Sequence, residues 1–204
     1  MIDQKLYQLN TMVLCDVPPA NKPDAFYIFS EPASFLELLC DAAASIAGPK
    51  KIKVAISGGV GNGYDFRLWH KRLRENGIKE DNIVLIAPPE NETSSKTETE
   101  KLALHAKMFG WQEVWITAPP YQQTRAFMHL ITELKKQFHP IRVYNMIALP
   151  LNWHKEIVHY QGETKGRPVD FIRSELEKIQ KHTAQGDLLP VEQVLKYLEE
   201  RETF

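Results

Sequence analysis

The sequence predicts an α/β fold with a doubly wound, mostly parallel sheet, and three observations support this prediction. Five short apolar runs recur, most of them rich in valine and isoleucine, as is typical of strands buried on both faces of a sheet. Segments with the helical spacing of apolar residues separate these runs at intervals of about 30 residues, the length of a βαβ unit. Gly77 and Gly110 follow two of these segments, where a left-handed residue commonly ends a helix. We therefore expect a Rossmann-like sheet of five strands with helices on both faces.

Each element can be placed along the chain from its apolar pattern. The predicted strands lie at residues 25–29, 52–56, 83–87, 114–117 and 141–147. We expect all five to be parallel, in the order 3-2-1-4-5. Helices are predicted between them, around residues 35–46, 66–78, 102–109 and 127–138.

The two ends of the chain differ from this repeating pattern. An entry helix is expected over residues 3–14. Beyond Trp153 we find no further clear strand and predict two amphipathic helices, over residues 171–181 and 191–200, with Pro190 suited to the start of the second. The chain is thus predicted to form a single domain, with a core at about residues 23–150 and a helical C-terminal extension at about residues 153–204.

The composition limits the class of protein. The chain has 204 residues, 43% of them hydrophobic, and a formal net charge of −1. One domain with a sizeable core is expected, without a basic field that would attract nucleic acid or an anionic membrane. The first residues lack the basic start and apolar run of a signal peptide, and no stretch approaches the roughly 18 apolar residues that span a bilayer. We expect a cytoplasmic protein with no nucleic-acid partner.

The cysteines and histidines do not predict a metal site. Cys15 and Cys40 stand among apolar residues without a zinc or redox spacing, so small buried side chains are expected, with a disulfide between them as the alternative. The seven histidines lack an HExxH-type spacing, and the chain has no GxSxG segment of a serine hydrolase.

Ligands of an open α/β sheet bind at the carboxyl ends of the strands, so the loops after the predicted strands are the candidate sites. Ser30 and Glu31 follow the first strand, and a ligand contact or a helix cap by Ser30 or Ser34 are both open interpretations. Glu31 is also a candidate catalytic acid or base.

The loop after the second strand is rich in glycine. It contains Ser57, Gly58 and Gly59 and precedes a helix that begins near Asp65. Glycines let a backbone turn sharply and present its N–H groups to an anion at a helix start, although the spacing matches no dinucleotide fingerprint. The alternative is a flexible turn that requires glycine.

The loop after the third strand holds acids and hydroxyls. Glu90 and Glu92 are further candidates for a catalytic carboxylate, and Ser94, Lys96 and Thr97 are candidate ligand contacts. Thr97 with Glu100 matches the S/T-x-x-E capping box, which explains those two residues without a ligand.

The loop after the fourth strand supplies the last candidates, which are Thr117, Tyr121, Gln122 and Arg125. Arg125 lies about one turn into the following helix, from where a guanidinium can point back over the strand ends and bind a carboxylate or phosphate through two hydrogen bonds. The alternative is an exposed arginine on a helix face.

Taken in order, these loops resemble the DUF218 family, which is also called the YdcF-like or SanA-like family. The resemblance covers roughly residues 23–148 and includes the SGG segment at 57–59 and the S-x-K-T segment at 94–97. Its most specific part is Ile116-Thr117-Ala118 followed by Tyr121 and Arg125-Ala126. The chain departs from the family pattern where Gln122 replaces a histidine, Asn91 an acid and Lys96 an asparagine, and where the first loop lacks glycine.

The resemblance implies a Rossmann-like protein that binds a small anionic or nucleotide-like ligand, such as S-adenosylmethionine, at the strand ends. A transferase or hydrolase is one expectation. The alternative is a non-catalytic binding or scaffolding protein, because Gln122 stands where the family has an imidazole that could exchange a proton.

Overall fold

A computed structural model of the chain describes residues 3–61, 64–86, 94–147, 151–158 and 165–204. The strands are β1 (Ala25–Ile28), β2 (Lys53–Ser57), β3 (Val60–Gly61), β4 (Tyr64–Asp65), β5 (Ile83–Ile86), β6 (Glu113–Thr117), β7 (Arg142–Asn145), β8 (Ile157–Val158) and β9 (Lys165–Gly166). The helices are α1 (Gln4–Leu14), α2 (Leu36–Lys50), α3 (Phe66–Glu75), α4 (Ser95–Met108), α5 (Pro120–Lys136), α6 (Pro168–Ala184) and α7 (Val191–Glu200). Short 3₁₀ turns occur at Ala33–Phe35, Glu80–Asn82 and Arg201–Thr203.

The core of the fold is a five-stranded, all-parallel sheet in the order β5-β2-β1-β6-β7. This confirms the predicted α/β class, the parallel pairing and the order 3-2-1-4-5 of the five apolar runs. The strands are shorter at several ends than the apolar runs: β1 ends before Phe29 and β7 covers only Arg142–Asn145. The predicted end of the third strand, Ala87, lies outside the described residues.

Helices cover both faces of the sheet because side chains alternate along each strand. Tyr27 and Phe29 face a cluster of buried side chains from α1, α4, α5, α6 and α7. Phe26 and Ile28 face a second cluster with α2 and α3. Every residue of β1 is buried, which explains why its run is continuously apolar.

Several local predictions can be compared with the structure. Gly77 and Gly110 have positive φ angles of 86° and 64° just past α3 and α4, as expected for residues that end a helix. Cys40 is buried as predicted, but Cys15 is exposed because it caps the end of α1, and both are free thiols. The part of the chain that the structure describes contains no helix long and apolar enough to cross a membrane.

The region after Trp153 contains the two predicted helices and one element that was not predicted. Helix α6 extends beyond its predicted bounds at both ends, and α7 matches its predicted range, directly after Pro190. The prediction of no strand in this region was wrong, because β8 and β9 form a short antiparallel pair. Two paired residues per strand are too few to produce an alternating apolar pattern in the sequence.

The C-terminal helices belong to the same core as the sheet. Their buried apolar side chains are Phe171, Leu176, Ile179, Leu188, Val191, Val194, Leu195 and Leu198, counting the turn between the helices. All but Phe171 join the cluster that holds α4 and α5, and Phe171 joins the cluster on the opposite face. The extension therefore covers part of the sheet and the helices that flank it.

Side chains complete the outer edge of β7, the last strand of the sheet. The Tyr197 hydroxyl accepts a hydrogen bond from the N–H of Val143 at 2.7 Å and donates one to the carbonyl of Ile141 at 2.8 Å. Arg201 donates to the carbonyl of Val143 at 3.0 Å. The Asp16 carboxylate accepts the next outward-facing N–H of the strand at 2.9 Å.

Candidate functional site

Buried polar residues meet at the carboxyl ends of β1 and β6, the two central neighbours of the sheet. Ser30 and Glu31 follow β1, Thr117 ends β6, and Gln122 lies in the first turn of α5. All four are almost completely buried. Because parallel strands end at the same edge of a sheet, the fold brings together residues that the sequence separates by about ninety positions.

Five polar atoms of these four residues have no hydrogen-bond partner among the described residues. They are the Ser30 hydroxyl, both carboxyl oxygens of Glu31, the Thr117 hydroxyl and the Gln122 carbonyl oxygen. Buried polar atoms in folded proteins are nearly always paired, and each exception needs a physical explanation. Five such atoms at one sheet edge indicate a place that a ligand or ordered water occupies.

The carboxyl group of Glu31 is in an unusual environment. Burial raises its pKa well above the ordinary glutamate value, and the neighbouring Glu98 carboxylate raises it further. Arg125 and the Gln122 amide offset only part of this increase. The Gln122 amide is near Glu31, but no hydrogen bond of normal geometry joins them. A buried carboxyl with a raised pKa can hold a proton at neutral pH and release it during a reaction.

Glu98, on the second turn of α4, is a site residue that the sequence analysis missed. Its Oε1 accepts hydrogen bonds from the Tyr27 hydroxyl and from the N–H of Ser30, both at 2.9 Å. Burial raises the pKa of Glu98, and the hydrogen bonds from Ser30 and Tyr27 oppose this effect. Its helical position, facing inward with Leu102, was the signal in the sequence that could have found it.

Arg125 reaches the same region but is bound to a partner that was not predicted. Its Nε donates to Glu175 Oε2 on α6 at 2.6 Å, and its Nη1 donates to the Ser95 hydroxyl at 3.3 Å. Both ion-paired side chains are buried, and Lys178 also contacts Glu175 at 2.7 Å. The alternative of an exposed arginine is therefore wrong, and the charge of Arg125 is balanced within the protein.

The glycine loop after β2 uses its N–H groups internally. The N–H of Gly58 donates to the carbonyl of Ile86 at 2.8 Å, and the N–H of Gly59 donates to the Ser57 hydroxyl at 3.3 Å. Asp65 caps the start of α3 by accepting the N–H of Arg67. The expected cradle of N–H groups for an anion is thus occupied by protein acceptors in this structure.

The polar residues at the start of α4 cap that helix. Ser94 is the N-cap, and its reciprocal bonds with Thr97 form the capping box, so the predicted pairing of Thr97 with Glu100 was wrong by one turn. The extended backbone of Ser94 fixes this earlier start. Lys96 points outward, half-exposed, and pairs with Asp187 at 2.6 Å.

The remaining candidates take up various positions. Tyr121 is buried between the rings of Phe35 and Phe171, and burial, followed by Glu31 and Glu175, raises the pKa of its hydroxyl. Neither candidate serine caps a helix, because the 3₁₀ turn after Pro32 has no side-chain cap. Glu90 and Glu92 lie outside the described residues.

Two further observations concern metals and known proteins. Among the described residues, no group of three or more His, Cys, Asp or Glu side chains could hold a metal ion. No protein-family model matches this chain, and no curated protein is significantly similar to it. The case for a function therefore depends on the residues at the strand ends.

His129, one turn beyond Arg125 on α5, predicts a dependence of stability on pH. Burial, then the charges of Arg125 and His182, lower its pKa from 6.5 to about 3. The folded protein excludes a proton that the unfolded chain binds below pH 6.5, so this residue destabilises the fold as the pH falls from 6.5 towards 3. At pH 5 we expect a loss of about 2 kcal/mol, from 1.4 kcal/mol per pH unit.

This loss should be absent when His129 is replaced by leucine. The measurement is the free energy of unfolding by urea at pH 7.5 and pH 5.0 for the parent and His129→Leu proteins. Glu31 and Glu98 have raised pKa values and contribute in the opposite direction, but they are common to both proteins and cancel in the difference. His154→Leu, at an exposed position, is the control and should behave as the parent does. Equal pH dependence in the parent and His129→Leu would contradict the prediction.

Proposed function

We propose that this chain is a DUF218-like protein that binds a small anionic or nucleotide-like ligand at the carboxyl ends of its strands. The observation that carries the proposal is the group of five unpaired, buried polar atoms on Ser30, Glu31, Thr117 and Gln122. An unpaired buried polar group costs roughly 1–3 kcal/mol, so several at one place are a cost that a bound ligand would offset. Their position at the strand ends is where ligands of this fold class bind.

The proposed reaction class is a transfer or hydrolysis in which Glu31 acts as the acid or base. Its raised pKa suits that role, because a general acid or base works best with a pKa near the working pH. Tyr121, Thr117 and Gln122 would orient the ligand beside it. S-adenosylmethionine is the nucleotide-like ligand that the family resemblance suggests.

The second candidate is a binding protein without catalysis, and the identity of residue 122 favours it. Gln122 stands where the resembled family has a histidine, and an amide cannot exchange a proton as an imidazole does. The two candidates share the same binding site. A test for product with each ligand that binds separates them, since only the enzyme consumes its ligand.

The experiment that tests the proposal uses Thr117→Val, which removes one unpaired hydroxyl at nearly constant volume. The melting temperature is measured with and without S-adenosylmethionine, AMP and inorganic phosphate. A ligand at one hundred times its Kd stabilises the parent by about 2.7 kcal/mol. We expect Thr117→Val to melt at or above the parent temperature without ligand and to show a smaller ligand-induced shift.

Thr132→Val is the matched control. Thr132 is also buried, but its hydroxyl donates to the carbonyl of Met128 and accepts the N–H of Leu189. Its replacement should lower the stability of the free protein by roughly 1–3 kcal/mol, because Leu189 loses its acceptor, and should leave the ligand-induced shift unchanged. The proposal is wrong if none of the three compounds stabilises the parent at millimolar concentration, or if both variants reduce the shift equally.

A further inference from the structure

The unpaired atoms at the strand ends are mainly acceptors. The two oxygens of an ionised Glu31 and the carbonyl oxygen of Gln122 can only accept hydrogen bonds. The hydroxyls of Ser30 and Thr117 can accept or donate. A ligand group in contact with this wall is therefore matched best when it carries donors.

The charges around Glu31 point in the same direction. Glu98 and Glu175 are further buried carboxyls that act on it, against a single opposing guanidinium, that of Arg125. Arg125 is bound to Glu175, and Lys96 at the start of α4 is bound to Asp187. A phosphate brought against Glu31 would thus meet carboxyl groups, and the cation nearest to it already has a carboxylate partner.

The backbone gives a third, independent indication. The N–H groups of Gly58 and Gly59, which would be the donors for an anion, already bond to Ile86 and Ser57. The N–H of Ser30, next to Glu31, bonds to Glu98. Binding an anion at these positions would require existing hydrogen bonds to break, whereas binding a donor at Glu31 would not.

We infer that Glu31 recognises a neutral or cationic hydrogen-bond donor of the ligand, such as an amine or a pair of adjacent hydroxyls, and that phosphate or carboxylate groups do not contact it. The inference rests on the proposed function and narrows it, because it states which part of a nucleotide-like ligand enters the site first. A carboxylate with two free oxygens can accept two parallel hydrogen bonds from such a group. Any anionic part of the ligand would then lie away from Glu31.

The test compares the parent with Glu31→Gln, which keeps the shape of the side chain and replaces one acceptor oxygen with a donor. The probes are adenosine, inosine, 2′,3′-dideoxyadenosine and AMP, and the Kd of each is measured by isothermal titration calorimetry. We expect adenosine to bind the parent at least tenfold more tightly than Glu31→Gln, and AMP to bind no more tightly than adenosine. A loss with inosine identifies the amine as the donor, and a loss with the dideoxy compound identifies the hydroxyls.

Glu113→Gln is the matched control, since Glu113 is a buried glutamate at the opposite end of β6, bound to Arg142 and Trp115. It should change each Kd by less than twofold and should lower the melting temperature of the free protein. Glu31→Gln should leave that temperature unchanged or raise it, because an unpaired carboxyl contributes no bond to the fold.

The outcomes separate the inference from the function on which it rests. If adenosine and AMP bind the parent and Glu31→Gln equally, the inference is wrong and the proposed function stands. If AMP binds and adenosine does not, the site selects an anion and the inference is again wrong. If no probe binds the parent, both are wrong. A fall in melting temperature for Glu31→Gln as large as that for Glu113→Gln would assign Glu31 a structural role and overturn the inference without any ligand.

Discussion

We expect a chain that ends at Arg167, without α6 and α7, to lose its cooperative fold. Eight apolar side chains of this segment are buried, from Phe171 to Leu198. Burial of one such side chain stabilises a protein by roughly 1.5–3 kcal/mol. Their sum is comparable with the roughly 5–15 kcal/mol of total stability of a typical domain, even after allowance for a compact unfolded state. The shortened chain would expose the matching surface of α5 to water.

The measurement is thermal unfolding by circular dichroism, together with size-exclusion chromatography of the soluble fraction. A chain that ends at Glu202 is the control, because it keeps both helices and the contacts of Tyr197 and Arg201 with β7. It should melt cooperatively, whereas the chain that ends at Arg167 should aggregate or show no transition. A soluble shortened chain with the melting temperature of the parent would mean that the segment is an independent tail.

The second large effect is expected for Arg125→Ala, at about 3–5 kcal/mol of lost stability. The substitution leaves Glu175 buried with Lys178 as its remaining cation. Although burial raises the pKa of Glu175, Arg125 and then Lys178 hold it below the ordinary value, so the parent carries a buried charge that needs this partner. For a chain of this size the melting temperature should fall by roughly 6–20 °C.

Removal of both charges should cost much less than removal of one. Arg125→Met combined with Glu175→Leu replaces the ion pair by apolar side chains, an exchange that is often neutral or stabilising. Lys96→Ala is the control for an ion pair in solvent and should cost less than about 1 kcal/mol. A loss for Arg125→Ala no larger than that for Lys96→Ala would show that the pair with Glu175 contributes little.

The sequence predicted the sheet well because the signal for a buried parallel strand is local. An apolar run such as the one at β1 is buried on both faces, so it needs no alternating pattern to be recognised. The order of the strands followed from the usual handedness of βαβ crossovers. Strands as short as β8 and β9 were missed, since two paired residues depend on tertiary contacts and not on composition.

The candidate site was predicted in its position more than in its chemistry. Glu31, Thr117 and Gln122 were chosen because they follow strands, and their neighbours are indeed buried at that edge. Glu175 was missed because it lies 50 residues beyond Arg125 on a helix that the sequence separates from the sheet. The sequence therefore suggested a free guanidinium that would leave the fold unaffected when removed, and the ion pair gives Arg125 a structural role that no local pattern reveals.

The side chains along β7 have a consequence for how molecules of this protein meet each other. An open strand edge can recruit a strand from a neighbouring molecule, and natural proteins protect such edges against this association. Here Tyr197, Arg201 and Asp16 already bond to the outward-facing backbone groups of β7. A foreign strand could pair with β7 only by displacing them, so this side of the sheet is protected from intermolecular β-pairing and aggregation for as long as α7 and Arg201 stay in place.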